Sequence, residues 1–172
     1  MDTTHALAQP PERRNRTLQT IATLVAQRRE VLVLFCRVAG LPPYRGTTLD
    51  ARTMHRFCQV LTDYVAEGHF GLYQRIIEGR ERRRGVVCLA ETLYPRIAQT
   101  TERAVDFSDK YAAHPNPTSS AELTQMLSEL GEELALRAEL EDKLIDELCP
   151  APNGTDDRRV ASTFGSQPTG QP

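Results

Sequence analysis

The chain has 172 residues, a net charge of −2 and 40% hydrophobic residues. That length is typical of one domain, and it is enough to bury a core without disulfides or metals. The near-zero net charge argues against a protein that binds nucleic acid through its overall charge. The four cysteines include no Cys-x-x-Cys pair, so we expect reduced thiols and no zinc site.

No membrane segment is predicted. The longest apolar run, Val31 to Cys36, is far shorter than the ~20 residues of a membrane span. The N-terminus also has no apolar signal-peptide core. We therefore expect a soluble, cytoplasmic protein.

The first predicted helix follows a polar arm. Residues 1–16 are mostly polar and contain Pro10-Pro11, so we expect a flexible arm. Thr17 is a suitable N-cap. Gly40, followed by two prolines, marks the end of the helix. Between these points, apolar residues at helical spacing predict an inward stripe of Leu18, Ile21, Val25, Leu32, Phe35 and Val38.

The second predicted helix begins near Leu49 or Asp50, after a loop that starts at Pro42. Its apolar stripe includes Phe57, Leu61, Tyr64 and Val65. Gly68 interrupts this pattern. Because Gly is unfavourable in a helix interior, we expect a helix end or bend there. A short extra helix then runs to about Gly79.

Two more helices complete the fold. The third spans about Val87 to Tyr111, with a start or bend near Pro95. A capping box at residues 119–122 predicts the start of the fourth, which Pro150 ends. Residues 150–172 are rich in Gly, Pro, Ser and Thr and are expected to be a disordered tail. The predicted fold class is therefore all-α: an antiparallel bundle of four main helices and one short extra helix, over residues 17–149.

Charge is unevenly distributed along the chain. The first helix is rich in arginine, and residues 122–147 are strongly acidic. An acidic helix suits a basic partner, although a solvated helix face is the more common reason for such charges.

No catalytic motif is present. Asp63 and Glu67 share a helix face near His69, but the Glu-x-x-His and His-Glu-x-x-His metal patterns are missing. Nucleotide-binding and nucleophile-elbow motifs are missing too. We therefore expect no metal, no cofactor and no enzymatic activity. A histidine phosphotransfer role would need an open imidazole, for which His55 and His69 are weak candidates.

Several separate segments together resemble one family. The longest is the run from Phe57 to Tyr73, Phe-Cys-Gln-Val-Leu-Thr-Asp-Tyr-Val-Ala-Glu-Gly-His-Phe-Gly-Leu-Tyr. Others are Ala39 to Pro43, Leu93 to Pro95, Asp106 to Tyr111, Leu127 to Glu132 and Arg137 to Ile145. These segments resemble the Rsd/AlgQ family of bacterial anti-sigma regulators. One departure is Ile21 to Leu24, where family members commonly carry Asp-Arg-Trp-Leu.

The resemblance implies a partner and a mechanism. Proteins of this type bind the C-terminal domain of the housekeeping sigma factor, which contacts the promoter −35 element, and keep it from core RNA polymerase and from DNA. AlgQ-type members are also regulators of alginate production. A monomer without direct DNA or membrane binding is expected. The alternative is a helical-bundle adaptor or histidine phosphotransfer protein that binds another regulator.

The predicted partner-binding residues form two groups. The first lies at the bend, where carboxylates stand beside aromatic residues that could anchor an interface. The second consists of acidic residues of the last helix. The full set is Asp63, Glu67, His69, Phe70, Tyr73, Glu132, Glu139 and Asp142.

Overall fold

Four long helices and one π-helical segment make up the regular structure of the described residues. The computed structural model describes residues 10–46, 48–74, 76, 81, 83–112 and 121–149. The elements are α1 (Pro10–Val38), α2 (Ala51–Ala66), a π helix (Glu67–Tyr73), α3 (Arg84–Tyr111) and α4 (Ala121–Leu148). The all-α bundle that the sequence predicts is confirmed. The predicted tail lies outside the described residues, as does the predicted end of the short helix at Gly79.

The ends of α1 follow from local chemistry. α1 begins at Pro10, seven residues before the predicted N-cap Thr17. Proline is well tolerated in a first helical turn, because the N–H that it lacks would have no partner there. At the other end, Gly40 has a φ of 63°, and the Leu41 N–H donates to the Cys36 carbonyl at 2.9 Å. This is the Schellman arrangement, and it confirms the predicted stop.

The start of α2 is also confirmed. Asp50 is the N-cap, and its carboxylate accepts a hydrogen bond from the Thr53 N–H at 2.6 Å. That bond lowers the pKa of Asp50. α3 begins at Arg84 and runs through Pro95 without ending. Of the two alternatives predicted there, a helix start is therefore excluded, and a bend stays a prediction. For α4, the predicted capping residues Ser119 and Ser120 lie outside the described residues.

Each helix runs antiparallel to its neighbours. α2 packs against α1 and α3, and α3 packs against α4, while α1 and α4 make fewer contacts. Glu30 of α1 pairs with Arg56 of α2, and Arg96 of α3 pairs with Glu133 of α4. This order makes α2 and α4 one of the two diagonal pairs of the bundle. Their outward faces therefore lie on opposite sides of the molecule.

The inward face of α1 differs from the predicted stripe. Ile21 and Val38 are buried as predicted, and Phe35 is partly buried. The prediction is wrong for Leu18, Val25 and Leu32, which are exposed, because the buried face is centred on other residues, notably Leu24 and Val31. α1 carries apolar residues on more than one face, so periodicity alone does not identify the inward one. The apolar spacing of α2 and α4 also predicts that Leu61, Leu130 and Leu134 face inward, and all three are buried.

The predicted bend at Gly68 is a π helix. α2 passes directly into it without a break. Among the helices of the described residues, none has the length and apolar character needed to cross a membrane.

Candidate partner-binding site

The π helix widens the chain at the C-terminal end of α2. The Glu67 N–H is shared between the carbonyls of Asp63 and Tyr64, and the Gln74 N–H donates to the His69 carbonyl five residues earlier. Single π turns inside α-helices occur frequently at functional sites. This geometry therefore supports the choice of this stretch as a candidate site.

Gly68 is needed because a side chain from the opposite helix occupies the space beside it. A Cβ built on Gly68 would lie 2.7 Å from Nη2 of Arg137 and 3.6 Å from a methyl group of Leu24. The backbone does not require glycine, since Gly40 and Gly46 are the described residues with positive φ. Gly68 thus lets α4 approach α2, and it does not end the helix.

Arg137 and Glu141 form an ion pair in the centre of the bundle. Their Nε and Oε1 atoms are 2.9 Å apart, and both side chains are fully buried. The Tyr64 hydroxyl donates to Oε2 of Glu141 at 2.7 Å. Burial raises the pKa of Glu141, against the opposing effects of the Arg137 charge and the Tyr64 hydrogen bond. The buried carboxylate is thus held by specific partners.

Arg137 also connects α4 to the inward faces of α2 and α3. Its guanidinium donates to the hydroxyls of Thr101 at 2.8 Å and Thr100 at 3.1 Å, both on α3. It reaches the Val65 carbonyl of α2 at 3.5 Å and lies 5.1 Å from the centre of the Tyr64 ring. One side chain therefore fixes the positions of three helices at the start of the π helix.

The sequence analysis missed this network, although a signal was present. The buried residues of α4 are Leu123, Leu127, Leu130, Leu134, Arg137, Leu140, Glu141, Leu144 and Leu148. Arg137 and Glu141 continue the three- and four-residue spacing of the leucines. Charged residues at inward positions must be paired, so the spacing points to a buried ion pair.

Four of the predicted residues spread across the outer side of α2 and the π helix. Asp63 is exposed, and it stands seven residues after Arg56, which pairs with α1. Glu67 and His69 are half-buried, and the His69 ring lies 5.8 Å from Tyr94 of α3. Phe70 is 64% exposed and contacts the His69 ring edge-on, with centroids 4.8 Å apart. We call Asp63, Glu67, His69 and Phe70 the π surface.

Tyr73 does not belong to the π surface. Its side chain is fully buried in the core, and its ring centre lies 6.5 Å from that of Tyr94. Burial also raises the pKa of its hydroxyl. Tyr73 supports the aromatic residues around it and offers no surface to a partner in this conformation.

The acidic residues of α4 lie apart from the π surface. Glu132 and Glu139 are exposed, and Asp142 pairs with Arg28 of α1 at 2.7 Å. α2 and α4 are diagonal, so none of these carboxylates lies on the outer side of α2: Asp142 is turned toward α1, and Glu139 points away from the core. The structure does not bring the two predicted groups together in one site.

Glu132 lies beside an apolar groove. The groove has a volume of about 1140 Å³ and lies between the end of α1 and the first half of α4. Phe35, Val38, Leu123 and Leu127 contribute to the walls of this groove. Within the described ranges, no group of three or more His, Cys, Asp or Glu side chains could hold a metal ion.

Comparison with known proteins gives a consistent result. Residues 4–149 match the family model described as "Regulator of RNA polymerase sigma(70) subunit, Rsd/AlgQ". The Regulator of sigma D of Yersinia enterocolitica is 37% identical over 122 residues, which covers 69% of this chain and 73% of that protein. The Yersinia pestis protein is 38% identical, covering 69% and 72%. The Enterobacter protein is 35% identical over 121 residues, covering 69% and 73%. No solved structure gives a significant match.

Proposed function

Because the chain belongs to the Rsd/AlgQ family of regulators of the RNA polymerase sigma(70) subunit, we propose that it is an anti-sigma factor that acts by sequestration. It binds the C-terminal domain of the housekeeping sigma factor, which reads the promoter −35 element. In the complex, that domain is kept from core RNA polymerase and from the promoter. The observation that carries this proposal is the family match over nearly the whole bundle.

The π surface is the proposed contact. Phe70 is the most exposed of the large hydrophobic residues in the described chain. A large aromatic side chain of this kind is a typical interface anchor, and carboxylates beside it can orient a basic partner. A DNA-reading domain is basic, so Asp63 and Glu67 suit it. The α4 carboxylates, which lie apart from the π surface, contribute to the field that attracts the partner but not to the contact.

The mechanism is stoichiometric. A stable complex that covers the DNA-reading surface is sufficient, and no covalent step is required. A specific interface buries about 1,200–2,000 Å² in total, which a helical bundle of this length can supply. We propose a monomer that works in the cytoplasm, where RNA polymerase is, and that makes no direct contact with DNA.

Binding to the purified sigma C-terminal domain tests the site. Phe70→Ala should weaken binding about tenfold or more, because it removes the anchor. Asp63→Ala should weaken it about three- to tenfold, with the larger loss at low salt. Leu41→Ala and Asp106→Ala are the matched controls, since both residues are exposed and lie away from the π surface. Equal affinities for all four variants would exclude the π surface.

Transcription in vitro from a promoter that depends on its −35 element tests the mechanism. Inhibition should follow the molar ratio of the protein to sigma factor and should be reversed by added sigma factor. Inhibition by sub-stoichiometric protein would contradict sequestration. If the folded protein does not inhibit even in several-fold excess, the adaptor function is the better description.

A further inference from the structure

One side of α1 presents apolar residues to solvent. Leu18, Val25, Leu32 and Val33 have exposed fractions between 39% and 49%. The first three are seven residues apart, so they lie along one line of the helix, about 20 Å long. Val33 extends the patch around the helix. Val25, Leu32 and Val33 line one groove, and Leu18 lies two turns before Val25; apolar residues grouped in this way typically mark an interaction site, whereas single exposed residues do not.

These exposed apolar residues of α1 lead into a groove. This groove has a volume of about 420 Å³, and the turn after α1 forms its far wall with Pro42, Pro43 and Tyr44. Val25, Leu32 and Val33 lie on its α1 wall. The groove gives the strip a concave end into which an apolar side chain of a partner could insert. We call Leu18, Val25, Leu32 and Val33, together with this groove, the α1 strip.

The exposed charges that α1 itself places beside the line of Leu18, Val25 and Leu32 are positive. Arg29 is exposed and lines the groove, and Arg14 is exposed four residues before Leu18, on the same side of the helix. The acidic residues of α1 lie off the line of Leu18, Val25 and Leu32; Glu30, three residues before Val33, is the one beside the patch, and Arg56 pairs with it. Glu12 and Glu30 are 18 residues apart, or about five turns, and so share a different face. Glu30 pairs with Arg56 at 2.6 Å, which places that face toward α2.

The strip is separate from the π surface. Arg28, three residues after Val25, reaches Asp142 of α4 at 2.7 Å, so the strip lies on the α4 side of α1. The π surface lies on α2 and its continuation. Because Arg28 pairs with Asp142, it partly neutralises the α4 carboxylate that lies next to the strip.

We propose that the α1 strip binds an acidic amphipathic helix of a partner protein. Apolar side chains of that helix cover Leu18, Val25 and Leu32, one of them enters the groove, and its flanking carboxylates meet Arg14 and Arg29. A second copy of this chain fits less well, because pairing two strips would add the positive charge of one to that of the other. This interaction adds to the proposed sigma binding and does not depend on it.

A labelled synthetic peptide of about 18 residues, long enough to span the strip as a helix, tests the proposal. Its leucines follow the spacing of the strip and glutamates flank them. A second peptide is identical except for lysines in place of the glutamates. The full-length protein should bind the acidic peptide at least about tenfold more tightly than the basic one, and the difference should shrink as salt rises.

Variants of the strip locate the site. Val25→Ser and Leu32→Ser should weaken binding of the acidic peptide about tenfold, and Arg29→Glu should reverse the preference between the two peptides. Val105→Ser and Arg103→Glu on α3 are the matched controls; Val105 is 37% exposed, close to the exposed fraction of Val25. Circular dichroism checks that every variant is folded.

Three results would overturn the proposal. The first is that the acidic peptide fails to bind, or binds no better than the basic one. The second is that the α3 variants weaken binding as much as the strip variants do. The third is that sedimentation shows a dimer of the wild-type chain that Val25→Ser abolishes, because the occupant would then be a second copy.

Discussion

Arg137 and Glu141 occupy inward positions of α4 where leucines stand before and after them. An ion pair that is removed from water loses hydration on both partners, so it is not a source of stability by its presence alone. Breaking it is costly, because the remaining charge stays buried without compensation. The pair therefore constrains which residues can occupy these two positions. Replacing one partner should cost more stability than replacing both.

Arg137→Met should lower the free energy of unfolding by about 3–5 kcal/mol, since the buried Glu141 loses its closest cation and keeps only the more distant Arg28, at 3.8 Å, as an ionic partner. Adding Glu141→Leu should recover part of that loss, because no unpaired charge then remains. Recovery should be incomplete, since Tyr64 and the Val65 carbonyl also lose a partner. Urea denaturation of both variants gives the two values.

Arg84→Met is the matched control for this experiment, because Arg84 is exposed. It should change the free energy of unfolding by less than about 0.5 kcal/mol. A double mutant that is less stable than Arg137→Met would contradict the account of the pair. It would indicate that Glu141 is stabilised mainly by Tyr64 and Arg28.

The π helix is the element in which packing and the proposed function meet. It begins where the Arg137 guanidinium approaches the Val65 carbonyl and fills the space over Gly68. Two residues later, Phe70 stands outward with His69 against its edge. We infer that the packing of α4 against Gly68 holds the widened turn and so orients the π surface.

Gly68→Ala should lower the free energy of unfolding by about 1–3 kcal/mol, because its Cβ would displace a buried guanidinium that is held by several hydrogen bonds. Binding to the sigma C-terminal domain should weaken as well, since the displaced turn carries Phe70. Thermal unfolding and a binding titration measure the two effects.

Gly85→Ala provides the control. A Cβ there meets Oε1 of Glu147 at 2.9 Å, and Glu147 is exposed and can move away. Its stability should therefore stay close to that of the wild type. If Gly68→Ala lost stability but bound sigma normally, Gly68 would be needed for packing and would not orient the π surface.

At the scale of the whole molecule, the bundle separates surfaces of different character. The π surface combines carboxylates with an exposed aromatic residue, whereas the α1 strip combines apolar residues with arginines. α2 and α4 are diagonal, so the acidic residues of α4 lie apart from the π surface. A single chain can in this way present separate surfaces to different partners.

Stability should reside in the bundle and not in the segment that follows it. Residues 151–172 contain two large apolar residues, Val160 and Phe164, and so have little apolar surface to bury. Deleting them should change the melting temperature by no more than about 1 °C. Deleting residues 140–172 should abolish cooperative unfolding, because it removes the buried Glu141, Leu144 and Leu148. A drop of many degrees after the shorter deletion would show that this segment docks on the bundle.

Local signals account for what the sequence predicted correctly. Asp50 caps α2 and Gly40 ends α1 because these residues satisfy backbone groups within a few positions of themselves. Leu130 and Leu134 are buried because one side of α4 is clearly more apolar than the other. The number of helices and their antiparallel order follow from the same patterns and from the short connections.

The tertiary structure decided the rest, because each of these features depends on a side chain that is distant in sequence. Gly68 looks like a helix end until Arg137, 69 residues later, is seen to fill the space beside it. Val25 looks inward until the faces of α1 that meet α2 and α4 are known. Asp63 and Glu139 look like parts of one acidic site until their helices prove to be diagonal. Periodicity within a helix defines its faces, but only packing between helices determines which face is covered and which surfaces lie together.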